Sequence, residues 1–141
     1  MVDPKTSKKE KGQSTTLFAV VLPAIVILLI VALDSIGTTN RLMEGLAVTD
    51  LAAHAGAQEI KVLPNGVIQP AASADQVAIA YFNRQAPRYV QLVSVWCGLV
   101  NKRPACIMIS RVQDVGFLLG NQYITVRSVA YLVYGVTRGD Q

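Results

Sequence analysis

LFAVVLPAIVILLIVAL, positions 17–33, runs for seventeen residues without a charge, and its reading decides the fold. As a helix rising about 1.5 Å per residue it spans about 25 Å, just short of a hydrocarbon layer of about 30 Å. The uncharged neighbours Thr15, Thr16, Ser35 and Ile36 make up the difference, and Asp34 falls near the outer interface. A secretory signal peptide also begins with lysines and an apolar run, but its apolar core is about 7 to 15 residues and a small-x-small cleavage site follows closely. The first such sites here, Ala53-His54-Ala55 and Ala55-Gly56-Ala57, come roughly twenty residues too late for that. Residues 13–36 are therefore read as a retained transmembrane helix in contact with membrane lipid.

Outward on the N-terminal side, residues 1–12 form a basic tail. Lys5, Lys8, Lys9 and Lys11 crowd that flank of the apolar run, whereas Arg41 stands alone on the near part of the other. Cations beside a membrane span tend to stay in the cytoplasm. The N-terminus is thus expected inside, and the C-terminal part outside, periplasmic or extracellular. The tail has no apolar residue after Val2, so it is expected to lack structure unless bound. A net charge of +4 does not indicate nucleic acid. Outside the tail the cations are scattered, with one doublet at Lys102-Arg103, and no basic stripe with interleaved aromatics occurs.

On the C-terminal side the helical period continues. Leu42, Met43, Leu46, Val48, Leu51, Ala52, Ala55 and Ile60 recur at helical spacing, with Arg41, Glu44, Thr49, Asp50 and Gln58 between them. Residues 37–62 therefore read as an amphipathic continuation of the same helix, packed on protein. Gly37 and Gly45 each weaken it by about 1 kcal/mol relative to alanine and are candidate bends. Pro23 removes one backbone hydrogen bond inside the apolar run; it reads as an ordinary kink in preference to a packing or melting point during assembly, and a membrane tolerates it where neighbours satisfy the freed carbonyl.

Residues 63–141 are expected to form a small exported head. Pro64-Asn65-Gly66 ends the long helix, and a loop runs on through 70–73. A short helix over 74–83 follows, with Val77, Ala78, Tyr81 and Phe82 on one face. Beyond Pro87 the period becomes two: 89–96 and 105–112 read as a hairpin about the Asn101-Lys102-Arg103-Pro104 turn, and 123–136 as further strand after a glycine-rich bend over 116–121. The fold class is α+β, a long N-terminal transmembrane helix extending into a small antiparallel-sheet head domain. Its length of 141 residues suits one modest domain plus appendages. Trp96 and Tyr131 are expected in the core rather than at a contact.

Cys97 and Cys106 fall at the end of one predicted strand and the start of the next. In an exported compartment they are read as a disulfide in preference to two buried thiols. No metal site is expected, because the single histidine, His54, lies on the distant helix. His54 reads as a packing or surface residue, with no nucleophile beside it, and neither Asp50 nor Glu59 has an evident second carboxylate for acid–base work. No phosphate-binding loop, dinucleotide fingerprint or nucleophile elbow occurs, so neither enzyme activity nor a cofactor is expected. Asp34 has two readings of equal weight, a functional carboxylate at membrane depth that pairs with a neighbouring subunit, or a marker of where lipid ends.

One pattern gathers these features. Lys11-Gly12-Gln13, Leu17-Phe18-Ala19, Leu22-Pro23 and Asp34 are followed by Leu42, Asp50, Leu51-Ala52-Ala53 and Ala55-Gly56-Ala57. The stretch over 11–60 resembles the N-terminal region of the TadE/TadG-like proteins, pilin-like membrane proteins of tight-adherence (Flp) pilus assembly. The resemblance implies a pseudopilin or assembly factor held in the inner membrane, with other pilus-assembly or membrane-complex subunits, or further copies of itself, as partners. In processed members a prepilin peptidase cuts after a glycine, and a glutamate precedes a nearby aromatic. Gly12 and Phe18 match that arrangement, so Gly12-Gln13 is the candidate cleavage junction, while Leu17 stands where the glutamate would be. The other reading of Gly12 is a flexible joint before the membrane helix, and the unprocessed TadG-like branch suits Leu17 better. The alternative function is a single-pass accessory subunit of another bacterial membrane complex, respiratory or photosynthetic, in which the head caps larger subunits.

Overall fold

The apolar run does lie on one long helix. The computed structural model describes residues 6–116 and 120–132, with the side chains of 6–16 and of residue 115 outside that description. Helix α1 (Thr6–Gln58) has 53 residues, a length of about 80 Å at about 1.5 Å per residue. It begins inside the tail that the sequence reading leaves without structure. Lys8, Lys9, Glu10 and Lys11 are good helix formers, and extending an existing helix costs far less than nucleating one. Every side chain over 17–33 is exposed, and α1 is the one described helix long and apolar enough to cross a membrane.

The helix stops at Gln58, not at residue 62 as expected. Ile60–Val62 is strand β1, paired antiparallel with β2 (Ile68–Pro70). Gly66 supplies the positive φ of the connecting turn, at 78°, and the amide of Leu63 donates to the carbonyl of Val67 at 2.9 Å. The Pro-Asn-Gly turn is thus the tip of a hairpin whose strands are flanking Ile and Val residues. Helix α2 (Ala74–Gln85) buries Ala74, Ala78 and Phe82, while Val77 and Tyr81 are half-buried. Asp75 in its first turn suits the helix dipole, and Pro87 bars further helix.

Strands β3 (Val90–Val100), β4 (Arg103–Gly116) and β5 (Gly120–Tyr131) make an antiparallel sheet in the order β3-β4-β5. Strand β3 starts at Val90 rather than Tyr89 but runs on past Trp96, β4 extends beyond its sequence estimate at both ends, and β5 starts earlier than Tyr123, while its expected portion after residue 132 lies outside the described residues. Asn101 and Lys102 join β3 to β4 with φ of 51° and 63°, the paired positive values of a two-residue hairpin turn. The register slips between Leu92 and Ser94, which leaves Val93 as the extra residue of a bulge.

Helix α1 lies across one face of this sheet, over β4 and β5, with α2 packed against α1. Alternate residues of β4, Cys106, Met108, Ser110, Val112 and Asp114, point to the helix and are buried. Burying Phe82, Met108 and Val112 stabilises the head by about 1.5 to 3 kcal/mol each relative to exposure.

The face of α1 that packs is only partly the one expected: Leu42, Val48 and Ala52 of the expected stripe do meet the core. Gly45, Thr49, Ala52, Ala53, Gly56 and Ala57 are buried, whereas Met43, Leu46 and Leu51 are 63%, 45% and 53% exposed. Close approach of helix and sheet selects the small residues. A Cβ on Gly45 would collide with the Val112 side chain, and one on Gly56 would lie 2.8 Å from the Cys106 sulfur. Gly45 is therefore a point of close approach rather than a bend. Trp96 and Tyr131 are corrected as well: at 49% and 41% exposed, they stand on the sheet face turned away from α1.

Candidate functional site: the junction of helix and head

The head begins where the apolar run ends. Asp34 is the first half-buried residue after 17–33, and its Oδ2 lies 3.3 Å from where a Cβ on Gly116 would stand. The close of β4 thus reaches back along α1 to the first carboxylate beyond the apolar segment. One turn on, the Thr38 hydroxyl reaches both carboxylate oxygens of buried Asp114, at 3.1 and 3.0 Å. Leu33, Asp34, Gly37, Thr38, Arg41 and Asp114 line a small cavity of about 90 Å³ between helix and strand.

Further polar contacts fix the register of helix on sheet. The Thr49 hydroxyl donates to the Gly45 carbonyl at 2.6 Å, and its single hydrogen is then used, so Ser110 donates to Thr49 across the 2.6 Å between their oxygens. Both residues are fully buried. The Ser128 hydroxyl donates to Asp50 at 2.6 Å. At the β3 edge the Tyr89 hydroxyl donates to Glu44, and the Arg41 guanidinium lies 5.5 Å from the Tyr89 ring centroid. That hydrogen bond, then burial and the Glu44 charge, raise the Tyr89 pKa above its ordinary value, with Arg41 acting in the opposite direction.

At the far end Cys97 and Cys106 are joined as a disulfide between directly paired strand residues, with Cα atoms 4.0 Å apart. Gly56 of α1 packs against both sulfurs. The Cys97 amide donates to Asp75 at 2.7 Å, tying α2 to the bridge. Asp75, Cys97 and Cys106 are also the three described residues grouped closely enough to hold a metal ion, but the two sulfurs are spent on each other.

The residues singled out from sequence do not converge on one spot. Pro23 lies within the exposed apolar part of α1, which continues through it. Gly12 and Gln13 lie in its first turns, where side chains are outside the described residues. Asp34 belongs to the junction, and the cysteines to the distal end. His54 sits 3.7 Å from Asp50 on its own helix and outside the core. The Thr38–Asp114 and Thr49–Ser110 pairs were missed, because threonine and serine on a helix or strand look like surface residues until the partner strand is placed.

These features define a class by geometry: a long helix, bare and apolar in its first half, carrying a three-stranded head along its second. No family model, curated protein or solved structure matches the chain.

Proposed function

We propose that this chain is a pilin-like, TadE/TadG-like membrane-anchored protein that serves a tight-adherence pilus or secretion apparatus as a structural or assembly component. One observation carries the reading: a single unbroken helix supplies both the apolar segment over 17–33 and the backbone against which the head folds. Such a helix couples the head rigidly to the bilayer, so force or movement at one end reaches the other. An apolar run with all its side chains exposed belongs in lipid or against other apolar helices. The lysines before it favour a cytoplasmic N-terminus and an exported head, and the disulfide suits an oxidising compartment.

The test is purification from the native membrane together with mechanical shearing of cells. The protein should copurify with pilus-biogenesis components, and a filament-incorporated fraction should appear in the sheared material. Stoichiometric recovery with a respiratory or photosynthetic complex, and none with pilus components, would replace this reading by the accessory-subunit one. Intact mass separates two versions of the proposal: loss of residues 1–12 marks prepilin processing at Gly12-Gln13, whereas a full-length mass marks an unprocessed anchor.

A further inference from the structure

We infer that the sheet face turned away from α1 docks onto the outward face of α1 in a second copy of this chain, so that copies stand side by side in the membrane. The inference rests on the anchored reading above and specifies its partner, but needs no pilus. Register places Trp96, Ile107 and Val129 together on the outer sheet face, with Ile109 and Arg127 in the next row and Arg111 beyond. Trp96 is 49% exposed, and both arginines are exposed. Among the described residues that face carries no carboxylate. On the opposite side of the molecule Met43, Ala47 and Leu51 form an exposed stripe at helical spacing, with Glu44 and Asp50 beside it. Between Met43 and Leu51 there is no Lys or Arg. One molecule thus carries two uncovered apolar faces of opposite charge, the arrangement by which charged interfaces set register and exclude wrong partners.

Height decides in favour of a second copy. Val112 abuts Gly45 and Ser110 bonds Thr49, so Arg111, and Arg127 paired with Ile109, stand level with positions 45–50 of α1. Glu44 and Asp50 occupy that level. Two copies anchored by the same apolar segment in one bilayer therefore bring arginines opposite carboxylates without vertical offset. Because the two faces differ and lie on opposite sides, the contact is head-to-tail and repeats as a row or closes as a ring.

Cysteine cross-linking of the full chain in its native membranes tests this. Ala47→Cys and Thr125→Cys each add one exposed thiol, on the helix face and on the outer sheet face, apart from the bridged native pair. Membranes containing both single variants should yield a mixed dimer, the double variant should give a ladder, and neither variant alone should dimerise. Arg111→Glu with Arg127→Glu in the Thr125→Cys copy should abolish the mixed dimer. Absence of the mixed dimer, while both thiols react with a small maleimide, would overturn the inference, as would cross-linking of Ala47→Cys with itself. Cross-linked rows in a protein that copurifies with no pilus component would leave this inference standing and remove the pilus assignment; a chain absent from the membrane fraction would remove both.

Discussion

Two glycines on one helix have opposite meanings. At Gly37 a Cβ would meet nothing within 4 Å, whereas at Gly56 it would lie 2.8 Å from the Cys106 sulfur, 2.9 Å from the Ala78 Cβ and 3.0 Å from the Cys97 sulfur. Gly37→Ala should therefore stabilise the protein by up to about 1 kcal/mol through helix propensity. Gly56→Ala should destabilise it, since overpacking costs about 1 to 3 kcal/mol against the same gain. Denaturant unfolding of the solubilised protein, followed by the fluorescence of its one tryptophan, Trp96, measures both; equal effects at the two sites would contradict the close approach. Tyr89 gives a pH test. Its raised pKa means that the folded state holds the phenolic proton more tightly than the unfolded chain does. The resulting stabilisation is complete below the ordinary tyrosine pKa of about 10 and is lost as pH rises through the higher folded value. An ultraviolet titration of the folded protein should show a phenol ionising above the usual range that Tyr89→Phe lacks, and superimposable curves would contradict the Tyr89–Glu44 bond.

Among the elements, the β3–β4 hairpin carries the covalent tie. Its bridge spans a sequence separation of 9, for which the loop-entropy argument gives roughly 2 to 3 kcal/mol. Reduction should lower the denaturant midpoint accordingly and loosen α2 as well, since the Cys97 amide bonds Asp75. Hydrogen exchange before and after reduction checks this, with unchanged α2 protection as the adverse result. The hairpin, the short helix and the long helix were legible from turn chemistry and from the change of period, because these are local properties. The packed face of α1 was legible only in part, at Leu42, Val48 and Ala52. A helical period favours turning the largest apolar side chains toward protein, which fails where helix and sheet approach too closely for anything beyond Gly, Ala or Thr, and so Met43, Leu46 and Leu51 face outward instead. Trp96 failed for the related reason that alternation in a strand defines two faces without saying which is covered. The β1–β2 hairpin was hidden because its three-residue strands continue the apolar pattern of the helix before them.

At the scale of the whole molecule, an apolar half-helix joins a basic tail before it to a disulfide-tied head after it. The proposed topology places the head outside the membrane and the tail inside. Brief trypsin treatment of intact spheroplasts, followed by intact mass of the recovered protein, tests this topology. The exposed turn at Lys102 should be cut while Lys5, Lys8, Lys9 and Lys11 remain protected. The Cys97–Cys106 bridge spans that turn, so the product should gain one water, stay in one piece without reductant, and part into two fragments when reduced. Removal of the N-terminal lysines with Lys102 untouched would contradict this topology, placing the tail outside and the head within the cell.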